Sequence, residues 1–172
     1  MSETEKIRTA IGQAVEYLSQ HPKEARYTDS QAVATLDGGL RVTVRDPAGN
    51  EITTDMPKGI GGGETAPSAG WLFRAALAAC AATLIAMRAA TEGIALNGLQ
   101  VVIDGESNDF GILGIDDSIP AGPLSLRVRV AVGAEGMNQK DLRELVDWAI
   151  DHCPVYDGAR RAVPVSIETE VI

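Results

Sequence analysis

The chain has 172 residues, 45% of them hydrophobic and 23% charged, the balance of an ordinary globular protein and not of a disordered one. At this length it can bury about two-thirds of its unfolded surface, so folding requires neither a disulfide framework nor a structural metal. A formal charge of −9 excludes duplex nucleic acid and anionic membrane surfaces as primary partners, because both are bound largely through cationic side chains.

Ile7, Ile11, Val15 and Leu18 recur at helical spacing, and Ser2 stands three residues before Glu5 in the pattern of a capping box. The spacing predicts an amphipathic helix that packs on the body of the domain or on a partner subunit. It should end near His21-Pro22, because the residue before proline is driven out of the helical region. From Gln31 to Thr54 the period becomes two, with Ala32, Ala34 and Leu36 on one face and then Leu40, Val42 and Val44 on another. Asp37-Gly38-Gly39 and Asp46-Pro47-Ala48-Gly49-Asn50 are turn compositions, so an antiparallel meander is expected. Met56–Gly63 is a glycine-rich loop. It lacks the Gly-Lys-Ser/Thr ending of a P-loop and the acidic ribose ligand of a dinucleotide-binding turn, so it reads as a crossing into the next helix.

Gly70–Thr91 (GWLFRAALAACAATLIAMRAAT) is alanine-rich, apolar nearly all round and opened by Pro67-Ser68, which predicts a central buried helix. Leu99–Ile103 and Leu124–Val132 are expected as strands. The acidic stretch between them does not have EF-hand spacing and reads as the solvated end of a hairpin. Asn138 opens a capped amphipathic helix with Leu142, Leu145, Trp148 and Ala149 on one face, ending at His152-Cys153-Pro154. Val163–Ile172 alternates and is expected to be a final strand. The predicted order, α-βββ-α-ββ-α-β, is an α+β domain. With no internal repeat or linker, residues 1–172 are expected to form one domain, with 1–22 as an additional N-terminal helix.

Cys80 and Cys153 are too few for a disulfide framework. The N-terminus, MSETEKIRTA, has no apolar signal core, and the uncharged run Ala75–Met87 is short of the roughly 20 residues a bilayer requires. A cytoplasmic protein is therefore expected, in which thiols stay reduced and serve chemistry more readily than structure. Cys80 lies mid-helix in apolar surroundings, and Cys153 lies at a helix end before proline. Burial raises a thiol pKa and a helix C-terminus offers no positive dipole, so a reactive thiolate here needs a nearby Arg or Lys. On two different helices the cysteines could still meet in space. The only histidines are His21 and His152, and no CxxC or HxxxH spacing exists, so no metal site is expected. The absence of a GxSxG elbow argues against a serine hydrolase.

The segment GGGETAPSAGWLFRAALAAC, followed far downstream by a helix ending in HCPV, resembles the OsmC/Ohr family, the osmotically inducible protein C and organic hydroperoxide resistance proteins. The resemblance runs from about Val33 to the C-terminus and leaves the first helix as an addition. It implies an α+β fold with an antiparallel sheet, a central buried Cys-bearing helix and a second long helix, built as an intertwined homodimer. It also implies a two-cysteine peroxidase in oxidative stress defence that needs no cofactor. Cys80 would attack an organic hydroperoxide, Cys153 would resolve the product as a disulfide, and a dithiol reductant of dihydrolipoyl type would restore both thiols.

The family commonly activates its first cysteine with an arginine paired to a glutamate. Arg41, in GGLR, is the nearest match for the arginine in one branch. Arg45 shares its strand face, and Lys58 is the cation closest to the position used in the other branch. Gly70 and Trp71 stand where the glutamate is expected, and Glu64 takes its place only if its loop folds back. Arg74 is about 9 Å along the helix from Cys80 and off its face, a poor activator. The alternative, from another class, is a non-enzymatic dimer that binds a small molecule or senses redox state through slowly oxidised cysteines.

Overall fold

The computed structural model describes residues 1–171. The backbone gathers into two compact units, one of Thr9–Ala75 and one of Met1–Arg8 together with Ala76 onward. Helix α1 (Glu3–Gln20) starts as its sequence predicts. The Ser2 N–H donates to Glu5 Oε2 at 2.6 Å and the Glu5 N–H to Ser2 Oγ at 3.2 Å, a reciprocal cap. It ends at Gln20, His21 separates it from Pro22, and a single 3₁₀ turn, Pro22–Ala25, follows. None of its residues is buried; Val15, Tyr17 and Leu18 face solvent.

In Thr9–Ala75, β1 (Val33–Gly38), β2 (Arg41–Arg45) and β3 (Glu51–Thr54) form the expected antiparallel meander in that spatial order. The first turn passes through Gly39 at φ 57°, a left-handed conformation that glycine adopts without strain. The second is closed by Asp46, whose carboxylate accepts from the backbone and side-chain nitrogens of Asn50. The buried residues of this meander and its exit are polar, namely Thr43, Thr54 and Asp55.

The other unit holds the apolar core. Helix α2 (Ala69–Thr91) crosses from one unit into the next and buries Leu77, Ala81, Ile85 and Ala89, one stripe at four-residue spacing. Strands β4 (Leu96–Glu106) and β5 (Ser125–Ala134) pair as a long antiparallel hairpin, with Leu96 opposite Ala134 and Glu106 opposite Ser125. Helix α4 (Gln139–Asp151) is capped by Asn138, which accepts from the Asp141 N–H, and buries Leu145 and Ala149. Ile85, Ala89, Leu145 and Ala149 meet over the hairpin residues Leu99, Val101, Val130 and Val132, so two helices cover one sheet face. By length and composition α2 also suffices to cross a membrane. Within this fold its stripe is spent on the core.

Four sequence expectations change. The first hairpin strand extends beyond Leu99–Ile103 at both ends, because the ladder continues through polar, solvent-facing pairs such as Asp104 and Arg127, while the second starts one residue later than Leu124 and runs two residues past Val132. The acidic connection contains one helical turn, α3 (Asp109–Ile112), capped by Asn108 accepting from the Phe110 N–H. After Cys153 the chain turns helical again as α5 (Pro154–Arg160), since a proline that ends one helix suits the first position of another. The expected final strand does not form: residues 163–171 have no helix or strand assignment and Val165 and Ile167 are more than 80% exposed. A strand requires a neighbour for its N–H and C=O groups, and none of the described residues pairs with this segment. Ile172 lies outside the described residues.

Candidate functional site

Helix α2 carries Cys80 between Leu77 and Ala81 of its buried stripe. Cys80 is half-buried and Cys153 fully buried, both are free thiols, and both belong to one apolar cluster with Leu77 and Ala81. The Cys80 side chain packs against the buried cluster to which Cys153 belongs. The structure thus brings together two cysteines 73 positions apart in sequence.

The setting of Cys153 differs from the sequence expectation in a way that matters chemically. It is the residue that α5 starts from, not one at a bare helix C-terminus. Burial pushes its thiol pKa up. The Tyr156 backbone N–H opposes this, the Cys80 side chain adds to the rise, and the Val155 N–H pulls weakly down. The net direction is up, so Cys153 is a protonated thiol near neutral pH. Beside the cluster runs an open groove of about 540 Å³ between β5 and helices α4 and α5, with Val128, Val130 and Val146 as apolar lining and Asp147 and Asp151 as polar lining. Ile150 and Tyr156 line the groove and also pack on the cysteine cluster.

His152 is committed to its own helix end. It stacks on Trp148 with ring centroids 3.9 Å apart, and its Nδ1 lies 2.7 Å from the Trp148 carbonyl. Among the described residues no three His, Cys, Asp or Glu side chains gather to hold a metal ion.

The cationic candidates lie in Thr9–Ala75. Arg45 forms a 2.7 Å ion pair with Glu51, its cross-strand partner in the β2–β3 register. Lys58 sits in a 3₁₀ turn, Lys58–Ile60. Arg41, at the start of β2, donates from Nη1 to Thr65 Oγ1 at 2.8 Å, and its Nε lies 3.7 Å from Asp37 Oδ2. Glu64 has φ 56° and forms no ion pair among the described residues. Trp71 occupies the first turn of α2, where its N–H donates to Ser68 Oγ.

Two polar residues escaped the sequence reading, Asp55 and Thr65. The Asp55 carboxylate is 3% exposed and accepts from the N–H groups of Met56, Gly63 and Thr65 and from the Thr65 hydroxyl at 2.7 Å. The Thr65 hydroxyl and then the Thr65 N–H hold the carboxyl down to about 2, against burial, with Met56 and Gly63 assisting. These bonds close the glycine-rich loop on itself. A Cβ on Gly62 would lie 1.8 Å from the Met56 carbonyl oxygen, so the glycines are there for close backbone approach and not for a phosphate. An acidic residue just before the glycine run and a threonine just after it are the sequence signal. The reading ended the loop at Gly63 and did not join them.

A family model described as OsmC-like protein matches residues 61–168, more than half of the chain. The chain belongs to the OsmC-like protein family. That match includes Thr65, Cys80 and Cys153, and leaves Arg41, Asp55 and helix α1 outside it.

Solved structures bear out the OsmC-like α+β fold with its antiparallel sheet. An organic hydroperoxide resistance protein OsmC from Legionella pneumophila is 24% identical, with 78% of this chain and 91% of that one covered at a TM-score of 0.55. An OsmC like protein from Mycoplasma pneumoniae is 16% identical, with coverages of 78% and 89% and a TM-score of 0.66. An organic hydroperoxide resistance protein from Elizabethkingia anophelis is 21% identical, with coverages of 78% and 90% and a TM-score of 0.56. No curated protein matches the sequence significantly.

Proposed function

We propose that this OsmC-like protein is a cytoplasmic thiol peroxidase that reduces organic hydroperoxides through Cys80 and Cys153. The observation that carries the reading is the pair of free thiols in one apolar cluster, with Cys80 partly open and Cys153 buried and held protonated. The names of the Legionella and Elizabethkingia proteins, which share the fold, supply the substrate class.

In the reaction the Cys80 thiolate attacks the terminal peroxide oxygen. An S–O bond forms as the O–O bond breaks, and the departing alkoxide takes a proton to leave as an alcohol. Cys80 is then a sulfenic acid. The Cys153 sulfur displaces its hydroxyl, which leaves as water when it takes the Cys153 proton, and a disulfide remains. A small dithiol of dihydrolipoyl type restores both thiols and is itself oxidised to a disulfide. Cys153, buried and held protonated, is the poorer first nucleophile, which leaves the attack on the peroxide to Cys80. Arg41 is assigned the role of the cation that favours the Cys80 thiolate, since Arg45 is committed to Glu51.

The working form in this proposal is an intertwined homodimer. Residues 163–171 expose Val165, Ile167 and Val171 in an alternating pattern and find no pairing partner among the described residues, as expected of a strand completed by a second copy.

The test is intact mass and free-thiol count after one equivalent of cumene hydroperoxide. Wild type should lose both thiols and about 2 Da, Cys153→Ser should stop at a sulfenic acid about 16 Da heavier, and Cys80→Ser should not react. Survival of both wild-type thiols overturns the reading. One observation favours a non-enzymatic binding or sensing dimer instead, namely that Gly70 and Trp71 place no carboxylate in the first turn of α2. That dimer predicts surviving thiols.

A further inference from the structure

Asp55 is the one buried carboxylate among the described residues. A carboxylate out of water is costly unless donors satisfy it, and all the donors it finds are neutral. Its charge is therefore not cancelled by an ion pair, and it is passed on through Thr65. A carboxylate only accepts hydrogen bonds and a guanidinium only donates them. The Thr65 hydroxyl between them has a single arrangement available: its proton goes to Asp55 Oδ2, and its oxygen lone pair receives Arg41 Nη1–H. The bond to the carboxylate polarises the hydroxyl and strengthens it as an acceptor. Asp37, 3.7 Å from Arg41 Nε, anchors a different nitrogen of the same guanidinium. Contacts at two nitrogens of a rigid planar group fix its orientation as well as its position. Arg41 still has 44% of its side chain exposed, so the remaining N–H groups stay free to act.

We propose that Thr65, itself oriented by buried Asp55, is a positioning residue that aims the Arg41 guanidinium. The inference rests on the assignment of Arg41 as the cation that favours the Cys80 thiolate, and it deepens that assignment. The glycine-rich loop then has a definite task. It returns Thr65 to Asp55 at the end of β3, and from there Thr65 reaches Arg41 at the start of β2.

The experiment uses the full-length protein in a Cys153→Ser background, so that iodoacetamide reports on Cys80 alone. Alkylation rate against pH is measured for Arg41→Ala, Thr65→Val, Thr65→Ser and the Arg41→Ala/Thr65→Val double variant, with thermal unfolding of each. At pH 7 the rate should fall about three- to tenfold in Arg41→Ala and in Thr65→Val, through a raised midpoint. The double variant should be no slower than Arg41→Ala, and Thr65→Ser, which keeps the hydroxyl, should track the parent. A role in loop stability alone would lower the unfolding temperature of Thr65→Val without moving the midpoint or depending on Arg41. If Arg41→Ala slows alkylation and Thr65→Val does not, the positioning role is overturned while the function of Arg41 stands. If Arg41→Ala leaves the rate unchanged, the Arg41 assignment is wrong and the positioning role falls with it. Should Thr65→Val fail to fold, Thr65→Ala, which places no new carbon against Asp55, takes its place under the same criteria.

Discussion

The cysteine cluster and the glycine-rich loop solve opposite problems. Around Cys80 and Cys153, position is set by apolar packing from α2, α4, α5 and the β4–β5 hairpin. Around Arg41 it is set by a chain of directional hydrogen bonds, from Arg41 to Thr65 and from Thr65 to Asp55, in a unit whose buried residues are polar. Apolar packing brings thiols together but does nothing for a thiolate, whose charge burial disfavours. A hydrogen-bonded clasp aims a cation but shelters little. If Arg41 is the cation that serves Cys80, as proposed, holding the sulfurs and supplying the charge are separate tasks, and each has its own way of failing.

The largest expected effects lie in the cluster. Cys80→Ser should abolish peroxide consumption, seen as a rate indistinguishable from the buffer, whereas Cys153→Ser should still complete one turnover and then stop. Next comes the scaffold beneath them. Ile85 is fully buried where α2 meets α4 and the hairpin, and Ile85→Ala should cost about 2–5 kcal/mol in a urea titration. A loss under 1 kcal/mol would show that the four-residue stripe is not what holds α2, and the contrast between the two regions would lose its apolar half.

Much of this division was legible in the sequence, for identifiable reasons. The apolar helix opened by Pro67-Ser68, the meander turns and the Ser2–Glu5 capping box are local patterns carried by nearby residues, whereas a helix apolar nearly all round did not disclose that Leu77, Ala81, Ile85 and Ala89 form its buried stripe. The pairing of Cys80 with Cys153 came from resemblance, because helix spacing alone leaves open which faces meet. Helix α5 was missed because Pro154 was read only as a stop, although a proline also starts a helix well. The clasp was missed because it joins residues ten apart, Asp55 and Thr65, across a loop with no periodicity. The final strand was expected from an alternation that is real in the sequence, but a strand is a property of two segments and the chain supplies one.

The clasp offers a smaller, pH-dependent signature. Asp55 ionises near 2 in the folded protein against an ordinary 3.8, so folding favours its charged form. That contribution is complete above about pH 4 and disappears as the pH falls towards 2. Asp55→Asn should therefore be less stable than wild type at pH 7, with the gap narrowing steadily below pH 4. Chemical denaturation at a series of pH values measures this, and a gap that stays constant from pH 7 to 2.5 would mean that ionisation of Asp55 does not hold the loop.

The smallest effect tests whether charge as such matters in the β-meander or only charge that is placed. Arg45 and Glu51 are paired at 2.7 Å across β2 and β3, but both side chains are about half exposed. Water screens such a pair, and fixing two long side chains costs entropy, so the pair contributes about 0–1 kcal/mol. Arg45→Ala should shift the urea midpoint only slightly, and less at high salt, and should leave Cys80 alkylation at the parent rate. Arg41→Ala on the same strand should do the reverse, with little change in stability and a clear change in thiol reactivity. If Arg45→Ala slows Cys80 as much as Arg41→Ala, the thiol responds to the summed positive charge of β2, and the Asp55–Thr65 clasp loses its special claim on it.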